Sequence, residues 1–227
     1  MANPTRNGGP EEGRAEHRLR RPRMVVFDLD GTLTPVDSLW RYLHDAFGTW
    51  GQAKDAAQKY RKGEISYKTW AERDAHYWAG APLTQMKSIL EGIPYREGAR
   101  EVFCELRRRE VKIVILSAGL SLLAEKAAKD LGADLSIANE LRTDKGHLTG
   151  EVVVKVAVNN KQEIVERLAS RLNVSLQDVA LVGDRAFDLS SEQCLKIAYK
   201  PKDDVARREA DFVVEDEDMR AILQYLI

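Results

Sequence analysis

The sequence predicts an α/β protein: a doubly wound, mostly parallel sheet with a helical segment inserted after its first strand. Three observations predict it. Short apolar runs recur at 24–27, 111–116, 179–182, 195–199 and 212–214, as strands buried on both faces do. Helix-period patterns lie between the runs, and strands alternating with helices imply a parallel sheet covered on both sides. One long stretch, 38–95, carries no strand signal yet holds all four tryptophans, Trp40, Trp50, Trp70 and Trp78.

Taken in order, residues 1–23 read as a disordered tail, rich in Gly, Pro, Glu and Arg and poor in anchoring apolar groups. Its cluster Arg18, Arg20, Arg21 and Arg23 reads as a solvated arm, with an acidic or nucleic-acid surface as the alternative. Met24-Val25-Val26-Phe27 is the first strand, stopped by the turn Asp28-Leu29-Asp30-Gly31. Residues 38–95 form a helical cap domain with two or more amphipathic helices, and 24–37 with 96–227 form the core domain. Within the cap, Trp70 and Tyr77 stand seven apart, as on one face of a packed helix. The tryptophans then pack a seam or, alternatively, line an aromatic cage. Residues 97–109 place Val102, Leu106 and Arg109 on helical spacing, and 121–131, 161–172 and 219–226 follow the same period. Between 140 and 158, Gly146 and Gly150 beside β-branched runs predict a small hairpin.

Composition removes several functions. The chain has 227 residues, 44% hydrophobic and 31% charged, with 35 Lys and Arg against 36 Asp and Glu. A formal charge of −1 excludes a nucleic-acid binder driven by phosphate neutralisation. No apolar run approaches the ~18 residues of a membrane span. Cys104 and Cys194 are isolated, which argues against a disulfide framework or a zinc site and for two buried or half-buried thiols in an intracellular, cytoplasmic protein. The four histidines show no ligand spacing. Nothing in the sequence fixes an oligomeric state.

In an open parallel sheet, ligands bind beyond the carboxyl ends of the strands. After the first run come Asp28, Asp30, Gly31, Thr32 and Thr34; after the second, Ser117, Ala118 and Gly119; after the third, Gly183, Asp184 and Asp188. Lys161 opens the helix before that third run. These groups suit phosphoryl transfer with Mg²⁺, which takes oxygen ligands from carboxylates, water and phosphate. An aspartate can also attack phosphorus and split one hydrolysis into two steps. Ser117, Lys161 and the Gly31 and Thr32 amides would hold the phosphoryl oxygens. Singly, each residue has an ordinary turn or surface reading.

Together they resemble the haloacid dehalogenase superfamily of phosphatases. Phe27-Asp28-Leu29-Asp30-Gly31-Thr32-Leu33-Thr34 is similar to its first motif, Leu116-Ser117-Ala118-Gly119 to its second, Lys161 to its third, and Val182-Gly183-Asp184-Arg185-Ala186-Phe187-Asp188 to its fourth. The phosphoserine phosphatase-like branch places a helical cap where 38–95 lies and carries a hairpin matched by Gly146-His147-Leu148-Thr149-Gly150. The resemblance implies Asp28 as nucleophile and Asp30 as general acid and base. It implies Asp28, the Asp30 backbone carbonyl and Asp184 as Mg²⁺ ligands, with Asp188 orienting metal-bound water. Ser117, Ala118 and Lys161 would bind phosphate. The substrate would be a small-molecule phosphomonoester.

The cap departs from that branch. Asp37 stands where the branch has a glutamate that reads the serine ammonium, and it alternatively caps the helix that begins at Leu39. Asp74 stands at the branch's carboxylate-gripping arginine, with Arg73 beside it but ~100° away around a helix. Phe187 replaces a substrate-positioning asparagine. If Asp37 and Asp74 both face the pocket, they favour a cationic or hydroxylated leaving group, as in phosphoethanolamine, phosphocholine, or a sugar or alcohol phosphate, over phosphoserine. A phosphotransferase or mutase on the same scaffold and a non-catalytic binding module are the alternative functions.

Overall fold

The computed structural model describes residues 21–227. Seven strands form one sheet: β1 (Met24–Phe27), β2 (Lys112–Leu120), β3 (Leu135–Asp144), β4 (His147–Val153), β5 (Val179–Gly183), β6 (Leu195–Tyr199) and β7 (Phe212–Val214). Their spatial order is β4-β3-β2-β1-β5-β6-β7, parallel throughout except for the β3–β4 hairpin. The chain leaves β1 towards β2 and β3 and later returns past β1 to build β5 to β7. The carboxyl end of β1 is therefore the switch point where such sheets bind ligands.

The two faces of the sheet sort by the period of two along each strand. Val25, Phe27, Ile113, Ile115, Ala180 and Val182 point into one core, together with α5 (Ala99–Arg108), α6 (Ser121–Leu131) and the C-terminal segment at Met219, Ile222 and Leu226. Met24, Val26, Val114, Leu116, Val179 and Leu181 point into the other, covered by α7 (Lys161–Arg171) and α8 (Asp204–Glu209). Both sides of β1 are thus dry, and its end is held in place. Asp28 N donates to Val182 O at 2.9 Å, and Leu33 N and Thr34 N return to Leu29 O.

Between β1 and α5 the chain builds four helices: α1 (Leu39–Ala46), α2 (Trp50–Arg61), α3 (Tyr67–His76) and α4 (Leu83–Glu91). Ser38 and Ser66 cap the first and third, each accepting from the backbone N–H three residues on. The insertion shares a core with one face of the sheet through Leu39, Trp40, Trp78, Met86 and Leu90. It is also tied to the hairpin by backbone. Gly80 N donates to Leu148 O, Leu148 N to Ala81 O and Leu83 N to Gly146 O, all at 2.8–2.9 Å. Gly150, with φ +84°, lies so close to Ala79 that a β-carbon there would collide with it. That contact is one reason a glycine stands at this point of the hairpin.

Several expectations need correction. β2 runs on to Leu120 and β3 begins at Leu135, well before the expected hairpin, because β3 pairs parallel with β2 before turning into β4. The 219–226 segment is a 3₁₀ turn at Met219–Ile222 followed by a short helix. Arg23 is already part of the fold: its N–H donates to Asp178 O, and its carbonyl accepts from Lys112 N. Arg18 and Arg20, like residues 1–20 as a whole, lie outside the described residues. Cys194 is buried as expected, but Cys104 is exposed on α5. The helix bearing Trp70 ends at His76, so Tyr77 leaves the helical period and is 39% exposed while Trp70 is buried.

Candidate active site

Asp28, Asp184 and Asp188 meet at the carboxyl ends of β1 and β5, with ligand atoms within 4.8 Å of one another. The approach depends on Gly31, at φ +84°, where a β-carbon would strike the Asp184 carboxylate. Lys161, the first residue of α7, reaches in from the side. Its Nζ lies 2.6 Å from Asp28 Oδ1 and 2.5 Å from Asp188 Oδ1, with all three side chains nearly removed from solvent. Asp188 Oδ2 accepts from Arg185 N at 3.1 Å, so both Asp188 oxygens are occupied. Asp184 Oδ2, though buried, has no hydrogen-bond partner among the described residues.

Four carboxyl groups, including Asp30, thus crowd one ammonium. Burial, reinforced by the Asp28 and Asp188 charges, pushes Asp184 up to about 8. Burial and the Asp28 charge hold Asp188 above the ordinary carboxylate range despite Lys161. Burial opposes the Lys161 charge, but Asp188 and Asp28 outweigh it and keep the ammonium firmly protonated. Such a site has an excess of buried negative charge and an unsatisfied oxygen, the properties that a hard divalent cation neutralises. The all-carboxylate donor set fits Mg²⁺.

Asp30 is turned differently. Its Oδ2 accepts from Leu39 N at 2.7 Å at the start of α1, and its Oδ1 has no partner among the described residues. Burial first, then Asp28, push it up to about 7. A carboxyl that holds its proton near neutrality suits proton transfer to and from a leaving oxygen. At the end of β2, Ser117 Oγ accepts from Gly119 N at 2.9 Å, which leaves the hydroxyl proton available to an incoming oxygen.

A cavity of about 530 Å³ opens above these groups. Asp28, Asp30, Ser117, Ala118, Lys161 and Asp184 form its floor, and Asp37, Asp74 and Phe187 join its walls. Thr32 does not line it; its side chain is fully buried beneath the turn. Arg73 is on the exposed face of α3 and does not line the cavity either, which corrects its expected place there. Asp37 caps no helix, since Ser38 and Asp30 take that role at α1; it pairs instead with Lys202 Nζ at 3.1 Å. Asp74 is fully buried with its Oδ2 3.0 Å from His44 Nε2. Both acids line the cavity, but each already has a cationic or protonatable partner. The tryptophans serve as seam and wall together: Trp40 packs 5.3 Å from Trp70 and 5.7 Å from Trp78, while Trp40, Trp50 and Trp70 line the cavity.

Sequence reasoning passed over Asn139. It is fully buried in β3, and its Nδ2 donates to Ala118 O at 2.8 Å and to Val156 O at 2.9 Å. Its Oδ1 accepts from Lys155 N and Val156 N. Ala118 O also accepts from Trp40 Nε1 at 3.1 Å and from the Tyr67 hydroxyl. One amide thus fixes the end of β2 beside Ser117, the irregular segment leading to Lys161 and the wall of the insertion. In the sequence it is one polar residue among several in β3, so nothing singles it out. Asn139→Ala is expected to cost about 2–3 kcal/mol, because it leaves several buried backbone groups unpaired. Urea unfolding should show it, with kcat falling more than KM rises.

The chain matches the haloacid dehalogenase-like hydrolase family model over residues 25–191 and belongs to that family. Within the family it is a phosphatase, similar over nearly its whole length to enzymes named phosphoserine phosphatase. The one from Methanocaldococcus jannaschii is 29% identical over 91% of this chain and 99% of its own length. The one from Wolinella succinogenes is 29% identical over 90% and 100%. Among solved structures, a phosphoserine phosphatase with its substrate bound is 27% identical, with a TM-score of 0.78, over 92% of this chain and 100% of that one. The phospho-aspartyl intermediate analogue of a phosphoserine phosphatase aligns with a TM-score of 0.77 at 27% identity over the same shares.

Proposed function

We propose that the protein is a Mg²⁺-dependent phosphatase that hydrolyses a small-molecule phosphomonoester through a phosphorylated Asp28. The observation that carries this is the Asp28, Asp184 and Asp188 cluster, clamped by Lys161 at the floor of a cavity. Asp28 is the nucleophile: its Oδ1 is held by Lys161, and phosphorylation forms the P–O bond as the bond to the leaving alcohol breaks. Asp30 gives that alcohol its proton through Oδ1 and later takes one from the attacking water. Ser117 and Lys161 hold the phosphoryl oxygens. Mg²⁺, held by Asp28, Asp184 and the Asp30 carbonyl, would offset the charge of phosphate and carboxylates. Asp188, with both oxygens engaged, positions Lys161 and the turn at Arg185 rather than binding directly.

The helical insertion acts as the cap that excludes water from this floor. The relatives' names bring phosphoserine forward as the first substrate to assay. The isolated cysteines support a cytoplasmic setting, and no helix among the described residues is long and apolar enough to cross a membrane.

The test is phosphate release from a panel of phosphomonoesters with Mg²⁺ and with EDTA; activity undiminished by EDTA overturns the proposal. Thermal unfolding gives a second reading. Mg²⁺ at about 100 times its Kd is expected to add about 2.7 kcal/mol, a rise in Tm of about 5–10 °C at this chain length. At one fixed Mg²⁺ concentration the rise should be larger at pH 8.5 than at pH 6, because near pH 6 the cation must displace protons from Asp184, whose pKa stands at about 8. Asp184→Asn should remove most of it.

A further inference from the structure

The cavity wall opposite the carboxylates is built from Trp40, Trp50, Tyr60, Tyr67 and Trp70. Tyr60 and Trp70 lie parallel, 5.0 Å apart and 7° from coplanar, and Tyr67 meets both edge-on. A volume of about 530 Å³ falls in the ~300–1,000 Å³ range of clefts that enclose drug-sized ligands. Trp40, Tyr67 and Trp70 are themselves buried, at 3%, 8% and 9% exposure, so the half-buried Tyr60 and Trp50 are the most open parts of this wall.

Charge along the same wall is nearly all spoken for. Asp37 pairs with Lys202, Asp74 with His44, and Arg41 with Asp45 at 2.8 Å while its guanidinium lies 3.9 Å over the Trp50 ring. The acids therefore do not call for a cationic leaving group. Arg61 is different. It lines the cavity from the end of α2, its Nε donates to Ala57 O, and among the described residues no carboxylate pairs with it. A guanidinium at the mouth of an aromatic cleft is a fork for a carboxylate or similar anion.

Resting on the phosphatase reading above, we infer that the preferred substrate is a phosphomonoester whose leaving group combines a flat apolar body with a second anionic group. The body lies against Tyr60, Tyr67 and Trp70, and the anion meets Arg61. This goes beyond the small, zwitterionic serine ester that the relatives' names supply.

The test uses four esters of primary alcohols of similar leaving-group basicity, so that kcat/KM reports binding rather than intrinsic reactivity: ethyl phosphate, phosphoserine, phenethyl phosphate and para-carboxyphenethyl phosphate. The full chain is assayed with Mg²⁺. The ring is expected to raise kcat/KM about tenfold or more over ethyl phosphate, and the carboxylate to add about fivefold. In Arg61→Ala, the ratio of carboxylated to plain phenethyl ester should fall to near one; being internal to the variant, that ratio is insensitive to the amount of folded enzyme. Phosphoserine as the best of the four, or a ratio unmoved by Arg61→Ala, overturns the inference while leaving the phosphatase reading intact. Hydrolysis of none of them overturns both.

Discussion

Replacing Asp28 by asparagine is expected to abolish phosphate release, lowering kcat by ~10⁴-fold or more, the scale on which loss of an attacking nucleophile is felt. The amide keeps the shape of the carboxylate and can still accept from Lys161, whose Nζ stands 2.6 Å away in the native site. What it loses is nucleophilicity and a negative charge. That charge is costly in the metal-free protein, since Asp28 is among the causes that raise Asp30, Asp184 and Asp188. Removing it relieves repulsion in a buried cluster, so the metal-free variant should unfold at the same temperature as the native protein or higher. Activity and stability then move in opposite directions, as they do where a site carries strain for function. Phosphate release and calorimetry on the same preparation check both halves. Full activity in Asp28→Asn would remove Asp28 from the mechanism, and a large fall in Tm would show that its role is structural.

Lys161→Met has the largest expected effect on stability. Lys161 is the cation placed between Asp28 and Asp188, all three buried. Without it two buried carboxylates lose their partner, which costs about 3–5 kcal/mol, or a fall in Tm of about 6–20 °C at ~2–4 °C per kcal/mol. The sign with pH follows from linkage. With Lys161 gone, the folded-state pKa of Asp188, already above its ordinary value in the native protein, rises further. The folded variant then binds protons that the unfolded chain does not, and its stability falls as pH climbs through that raised value. The gap to the native protein should be wider at pH 8.5 than at pH 6, and Mg²⁺ should narrow it at the higher pH. Denaturant unfolding at the two pH values, with and without Mg²⁺, checks this; a gap independent of pH would mean that Lys161 acts by packing alone.

The floor of the site was legible in the sequence because few physical facts decide it. Parallel strands bring their carboxyl ends together whatever their loops do, so Asp28, Ser117 and Asp184 had to converge once 24–27, 111–116 and 179–182 were strands. The wall was not legible, because its partners come from distant elements. Nothing near Asp37 or Asp74 announces Lys202 or His44, and without those pairings both acids invite a cationic ligand. Arg73 stands ~100° around a helix from Asp74 by sequence alone, and α3 turns it to solvent. Tyr77 failed because the period of seven holds only while the helix does, and α3 ends one residue earlier. Asn139 left almost no trace, since its importance lies in five bonds to separate segments.

The insertion and the β3–β4 hairpin are far apart in the chain, yet three backbone hydrogen bonds between 80–83 and 146–148 join them. Peptide groups paired in this way cannot slide past one another without all breaking. The hairpin itself is irregular further along, where β3 and β4 lose register between Leu141 and Thr143. The helical insertion is thus fastened by backbone to a strand of the sheet, so displacing it from the hairpin means breaking main-chain pairing as well as side-chain packing.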